Sequence, residues 1–294
     1  MAEIRTVGVL GCGLMGSGIA EIAAKAGFET RVRETTEALC ERGLGSIQKS
    51  LGRAVEKGKL EAATRDEALG RIRTTTRLED LRDCDIIVEA VTEDLAIKSE
   101  MFATLDKLCP ESTIFASNTS SIPIASMAAA TRRPDRFVGL HFFNPVPVMK
   151  LVEVVRSIAT SDETYRTAFD FARRLGKEPV EAHDNSGFIV NRLLVPYMLD
   201  AIRALEEGVG TIEDIDKAMT LGTGYPMGPF VLGDFVGLDT LYRIAEIMFE
   251  EYREKRFAPP PLLRRMVTMN YIGRKSGKGF YDYSTPTPKP VRLT

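Results

Sequence analysis

The feature that most constrains this 294-residue chain is the cluster of glycines in VGVLGCGLMGSGIAEIAAKAG, which begins at Val7. Glycines at 8, 11, 13, 16 and 18 argue against one continuous apolar helix, because each costs about 1 kcal/mol relative to alanine inside a helix. Split into strand, turn and helix, the segment becomes coherent. Ile4 to Leu10 is apolar and partly β-branched, and Leu14 to Lys25 carries apolar residues at helical spacing. Between them Gly11, Cys12, Gly13, Leu14, Met15 and Gly16 form a G-x-G-x-x-G turn. Such a turn brings backbone N–H groups and a helix N-terminus against a dinucleotide's pyrophosphate: Gly11 for the turn, Gly13 for close approach, Gly16 for helix packing. A signal peptide is the competing reading, since Arg5 precedes an apolar run, but Glu3 and the glycines count against it. No other segment approaches the ~20 apolar residues that a membrane span needs.

A second strand, Glu29 to Glu34, ends in an acid eighteen residues beyond Gly16. That is close to the ~20-residue offset at which a carboxylate accepts the adenosine ribose hydroxyls. A carboxylate there repels a 2′-phosphate, so the expected cofactor is NAD rather than NADP. Arg33 is the rival group, but side chains alternate along a strand, which turns it to the other face.

Beyond Glu34 a helical, charge-dotted region runs from Thr36 to Leu69. Short strands then alternate with helices: strands at 71–75, 85–89, 113–116, 137–140, 150–155 and 179–181, helices at 95–108 and 163–175. The alternation predicts an α/β chain with a Rossmann-type, doubly wound, mainly parallel sheet over residues 1–184. From Gly187 the pattern turns helical, which predicts a second, all-helical domain over 185–294 for substrate binding and dimerisation. Residues 285–294 are proline-rich and expected to be mobile.

Lys and Arg number 39 against 41 Asp and Glu, a formal charge of -2, so no global field recruits nucleic acid or an anionic membrane. Cys12, Cys40, Cys84 and Cys109 form no C-x-x-C pair, which suggests reduced thiols in a cytoplasmic protein and no metal site.

Chemistry must come from few groups. His141 and His183 are the only histidines. His141 stands at the end of FVGLHFFNPV, on the edge where doubly wound sheets place ligands, and imidazole titrates near neutrality. Glu153 in KLVEVV follows on a strand that could return beside it; a structural histidine with a bystander glutamate is the alternative. SNTSS, Ser117 to Ser121, ends another strand on the same edge and offers hydroxyl and amide donors, which also suit an ordinary turn. Asn191 interrupts an apolar helix, where an amide faces solvent or finds a specific partner.

GCGLMGSGIA, SNTSS, GLHFFNPVPVMKLVEVV, GFIVNRLL, MGPFVLGDFVGLD and GRKSGKGFYDY together resemble the 3-hydroxyacyl-CoA dehydrogenase family, most closely its short monofunctional 3-hydroxybutyryl-CoA members, from about residue 4 to 283. The length leaves no room for the hydratase module of the multifunctional members. The resemblance implies an NAD-dependent enzyme interconverting (S)-3-hydroxyacyl-CoA and 3-ketoacyl-CoA. His141 matches the catalytic base, Glu153 its carboxylate partner, and Ser120 and Asn191 the residues at the substrate's oxygen and thioester. Glu93 and Lys98 match positions near the nicotinamide, Asn118 is placed with the cofactor residues, and Asn144 with the substrate residues. Ser50 and Lys57 match a serine and lysine that contact CoA. Lys49, Arg53, Lys57 and Lys59 add a local basic face suited to phosphates. Two positions depart from the family pattern: Glu34 where aspartate is usual, and Ser186 where proline commonly precedes GFIVNR. Related sugar-acid or carnitine dehydrogenases and crystallin-like, non-catalytic nucleotide binders share the fold and stay open as alternatives. The broad apolar coverage from Phe188 to Leu205 predicts a homodimer.

Overall fold

The apolar run before the glycine turn forms β1 (Thr6–Leu10), with four of its five residues buried. The computed structural model describes residues 3–292, and the chain divides after Phe188 into two units. In the first unit β1 is followed by α1 (Leu14–Lys25), β2 (Glu29–Arg33), α2 (Glu37–Glu56), α3 (Ala62–Gly70), β3 (Ile72–Thr75) and β4 (Ile86–Glu89). Then come α4 (Leu95–Leu108), β5 (Ile114–Ser117), α5 (Ile124–Ala128), β6 (Phe137–Phe142), β7 (Leu151–Arg156), α6 (Asp162–Arg174) and β8 (Glu178–His183).

The strands make one sheet in the order β3-β2-β1-β4-β5-β6-β7-β8. The first six run parallel, whereas β7 returns antiparallel to β6 and β8 follows parallel to β7. Both faces are apolar, as a helix-covered parallel sheet requires. Ile86 and Val88 join Ile19, Ala23 and Phe171 in one cluster; Ile87, between them, joins Phe102, Phe115 and Phe137 in the other. Phe102 meets Phe137 edge-on at 4.6 Å between ring centroids. The chain order reverses between β1 and β4, the point at which such sheets open a crevice beyond the strands' carboxyl ends.

The helical region expected over 36–69 is two helices. Lys57 closes α2, and Gly58, at φ 65°, turns the chain into the left-handed region. Lys59 therefore lies past the helix end, and the expected basic face is carried on the helix by Lys49 and Arg53 alone, both exposed.

The second unit contains α7 (Val190–Glu206), α8 (Ile212–Thr223), α9 (Pro229–Val236), α10 (Leu238–Tyr252) and α11 (Pro261–Thr268). The helix expected from Phe188 starts at Val190, because Gly187 and Phe188 take left-handed backbone at φ 82° and 47°. Asn191 consequently sits in the first turn rather than mid-helix. Two buried aspartates tie the motifs together. Asp234 accepts N–H bonds from Phe280 and Tyr281, both at 2.9 Å, while Asp216 accepts from Phe230 N at 2.8 Å and from the Tyr281 hydroxyl at 2.8 Å. A Cβ on Gly279 would lie 1.9 Å from Asp234 Oδ1, which explains the glycine there. The tail expected to be mobile is paired: β9 (Tyr281–Asp282) runs antiparallel to β10 (Lys289–Pro290), although 293–294 lie outside the described residues.

Candidate active site

The glycine turn is shaped by backbone contacts. Gly11, at φ 88°, donates its N–H to Arg33 O at 2.8 Å, and a Cβ there would lie 2.8 Å from Ala90 O. A Cβ on Gly16 would lie 1.9 Å from Gly11 O, so α1 can pack here only without a side chain. Gly13 is different: nothing lies within 4 Å of its Cβ position. It caps α1 without a side-chain hydrogen bond and with no acid in the first turn, and Leu14 is exposed while Met15 is half-buried. By contrast Thr36, Asp94 and Ser161 each cap their helices with a side-chain oxygen. The open N–H groups of α1 and the bare Gly13 leave a cradle that fits a phosphate.

Glu34 follows β2 directly. Its Oε1 accepts Cys12 N at 2.6 Å and its Oε2 accepts Thr35 N at 3.0 Å, which fixes the carboxylate against the turn with lone pairs to spare for hydroxyl donors. Arg33 instead donates from Nε to Thr76 O at 3.2 Å. Burial, followed by the Glu34 charge, pushes the Cys12 thiol up to about 12, so it stays an inert neutral group.

On the other side of the turn the ends of β4 and β5 carry a buried ionic cluster. Lys98 Nζ on α4 lies 2.7 and 2.9 Å from the two Glu89 oxygens and 3.0 Å from Glu93 Oε2. Glu89 also accepts Ser117 Oγ at 2.6 Å and Val91 N at 2.7 Å. Glu93 Oε1 accepts Thr119 Oγ1 at 2.5 Å, Ser120 N at 3.1 Å and Ser121 Oγ at 3.1 Å. Burial alone would raise the Glu93 pKa, but Lys98 and these donors outweigh it and hold the carboxyl below its ordinary value. The SNTSS turn is thereby clamped around Glu93, with Ser120 half-buried.

At the end of β6, His141 stands opposite Glu153 in the antiparallel register with β7, and Nδ1 lies 2.6 Å from Glu153 Oε2. Both are buried. The imidazole packs against Phe143, at 4.5 Å between centroids, and Phe188, at 5.5 Å. Asn118 Oδ1 accepts Phe142 N at 2.9 Å and so joins the β5 turn to the histidine strand. The sheet edge therefore reads Glu34, Gly11, Glu93, Ser120 and His141 across β2, β1, β4, β5 and β6. Asn144 is exposed in the loop beyond, before the cis bond to Pro145.

The remaining candidates belong to other elements. Ser50 on α2 bonds Glu21 of α1, whose carboxyl is held above its ordinary value because burial outweighs the lowering by Ser50, Lys25 and Lys177; Lys57 is exposed at the end of α2. Asn191 is half-buried on α7 of the second unit. Two site residues, Glu89 and Asp184, escaped the sequence reading, and Ser186 stood in it only as a departure from the family pattern. Glu89 had a visible signal, an acid ending an apolar strand. Asp184 accepts Ile124 N at 2.6 Å and Ala125 N at 2.7 Å, so it caps α5 from 59 and 60 residues away. Ser186 donates to Ser121 O at 2.8 Å, a bond that the expected proline could not supply through a side chain.

Comparison with known proteins follows the same division. The profile of the 3-hydroxyacyl-CoA dehydrogenase NAD binding domain matches residues 6–185, and that of the family's C-terminal domain matches 187–283. A 3-hydroxybutyryl-CoA dehydrogenase of Mycobacterium tuberculosis is 54% identical over 282 residues, 95% of this chain and 99% of that protein. Among solved structures, M. tuberculosis FadB2 superposes with a TM-score of 0.94 at 53% identity, covering 96% of this chain and 100% of the other. The (S)-3-hydroxybutyryl-CoA dehydrogenase PaaH1 of Ralstonia eutropha gives 0.92 at 42% identity, with 96% and 100% covered.

Proposed function

The chain belongs to the 3-hydroxyacyl-CoA dehydrogenase family, and on that footing we propose that it interconverts (S)-3-hydroxybutyryl-CoA, or a similarly short 3-hydroxyacyl-CoA, and the matching 3-ketoacyl-CoA. NAD, bound along the sheet edge, supplies the hydride acceptor for the alcohol's C3. The His141–Glu153 contact carries the reading. With Glu153 2.6 Å from Nδ1, the Nδ1 proton is assigned to that bond, which leaves Nε2 to take the hydroxyl proton. Glu153 then stabilises the imidazolium, and the two phenylalanine rings limit water around it.

Ser120, whose turn is held by Glu93, is assigned to orient the reacting oxygen, and Asn191 and Asn144 to position the acyl thioester. Gly11, Gly13, Leu14, Met15, Gly16 and Glu34 are assigned to NAD, with Glu93, Lys98 and Asn118 toward its nicotinamide half. Ser50 and Lys57 are assigned to CoA. Residues 1–184 form the cofactor domain and 185–294 the substrate and dimerisation domain. Leu193, Leu221 and Met269, exposed at 67%, 77% and 67% in the helical unit, support a homodimer interface there. No described helix is long and apolar enough to cross a membrane, and four buried free cysteines accord with a reducing cytoplasm.

The test is steady-state reduction of 3-ketoacyl-CoAs of increasing length with NADH and NADPH in parallel. The reading expects the highest kcat/KM with acetoacetyl-CoA and NADH; turnover of L-gulonate or carnitine without any acyl-CoA activity would contradict it.

A further inference from the structure

We propose that Lys177 is a positioning residue for the acyl-CoA: reaching in from the turn between α6 and β8, its ammonium holds the loop that joins β6 to β7 on α1, so that the loop's exposed face is fixed as a wall for the substrate's pantetheine arm. The inference rests on the proposed acyl-CoA reading and adds to it a residue that the reaction itself does not use.

Residues 143–150 connect the strands of His141 and Glu153, and the connection is longer than an antiparallel pair needs, since two residues can close one. It is also anchored. Phe143 at its start packs against the imidazole, and Val146 is buried in one cluster with Ile19, Phe142 and Val152. A Cβ on Gly18 of α1 would lie 2.7 Å from Val146 Cβ and 3.4 Å from Pro147 Cδ. The loop is therefore seated on α1 just past the glycine cradle, at a position where only glycine leaves room.

Lys177 supplies the second attachment. Its Nζ donates to Val146 O at 2.5 Å and to Met149 O at 2.8 Å, while the N–H of Glu178 donates to Lys150 O at 2.8 Å. A lysine with only a packing role lays its stem on apolar surface and keeps its ammonium in water. Lys177 does the reverse: the residue is buried and its ammonium ends on two carbonyls of one loop. Burial and Lys25 push its pKa down, and Glu21 of α1 opposes them. Keeping a cation there costs free energy, and fixing the loop is what it accomplishes.

The face that the loop presents is apolar and uncovered. Val148 and Met149 are exposed at 71% and 41%, past the carboxyl end of β6, where such sheets take their ligands. Ser50, assigned to CoA, bonds Glu21, one turn of α1 beyond Gly18. Contacts thus run from Ser50 through α1 to the loop and on to His141. A CoA held at Ser50 with its acyl end at His141 has to pass this loop with its arm of methylenes and amides, an uncharged chain suited to Val148 and Met149.

The experiment is steady-state reduction of acetoacetyl-CoA by NADH, with direct titration of NADH, on wild type, Lys177→Met and the double variant Val148→Ser, Met149→Ser. Lys177→Met keeps the stem and removes the ammonium. KM for acetoacetyl-CoA is expected to rise about tenfold, the scale of one lost hydrogen bond to a charged group. Turnover should stay within about threefold of wild type and NADH affinity should not change, the pattern of lost substrate binding. The double variant alters only exposed side chains and should raise KM likewise; if Lys177→Met does not fold, it decides alone. An unchanged KM in the folded variants, or a fall of kcat and NADH affinity in step with the rise in KM, overturns the proposal while leaving the acyl-CoA reading intact. Wild type that reduces no 3-ketoacyl-CoA overturns both.

Discussion

His141 Nδ1 and Glu153 Oε2 stand 2.6 Å apart across β6 and β7, at directly opposed positions of the antiparallel ladder. The register of the sheet sets the two residues opposite each other. Glu153→Gln keeps the shape but gives up the charge that holds the tautomer and stabilises the imidazolium. We expect kcat to fall about 10²- to 10⁴-fold with NADH affinity unchanged. A kcat within about threefold of wild type would remove Glu153 from the mechanism.

Glu34 is fixed by Cys12 N and Thr35 N, and Arg33 is engaged with Thr76 O. NADH should therefore exceed NADPH in kcat/KM, and Glu34→Ala should narrow the gap by weakening NADH. Equal or better use of NADPH by wild type would mean that Arg33 reaches the 2′-phosphate.

Two glycines of the turn should fail differently. Gly16→Ala drives a Cβ to 1.9 Å from Gly11 O, an overpacking expected to cost about 1–3 kcal/mol. Gly13→Ala meets nothing within 4 Å, so thermal stability should hold while NADH affinity drops. Undiminished NADH binding by Gly13→Ala would show that no phosphate lies there.

Asp106 gives a pH dependence with a defined sign. Burial would raise its pKa, but Arg132 and Arg133 outweigh burial and hold it below the ordinary 3.8. The stability from this carboxylate is therefore complete above about pH 4 and is lost as pH falls through the lower folded value. Asp106→Asn leaves the buried Arg133 unpaired and should cost about 3 kcal/mol at pH 7. In denaturant titrations that cost should shrink near pH 3; a constant cost from pH 7 to 3 would contradict the assignment.

The helical unit's exposed apolar residues predict self-association. Light scattering at micromolar concentration should give about twice the 32.5 kDa of one chain. A single-chain mass across the accessible range would leave Leu193 and Leu221 without a partner.

Strands and helices with a clean period were legible from sequence, and α1 and α4 fall on the expected residues. The mainly parallel sheet followed from their alternation. Breaks were harder, because the end of α2 depends on the left-handed turn at Gly58, and the start of α7 on left-handed backbone at Phe188, which no residue preference announces. The Glu34 position could be counted from Gly16. The cluster around Lys98 could not, since Glu89 and Ser117 meet only when β4 and β5 pair. Asp234 on α9 and Phe280, 46 residues apart, likewise meet only in the fold, where Cβ atoms on Gly273 and Gly279 would collide with Asp234.

The central claim is that His141 removes the hydroxyl proton in an NAD-dependent reaction of a 3-hydroxyacyl-CoA. Its most direct test is NADH oxidation with acetoacetyl-CoA by wild type and His141→Ala side by side, with folding checked by circular dichroism. The account predicts turnover by wild type, and a loss of roughly two to four powers of ten in the variant with NADH affinity retained. Near-normal turnover by folded His141→Ala, or no NADH oxidation by wild type with any 3-ketoacyl-CoA, would contradict it.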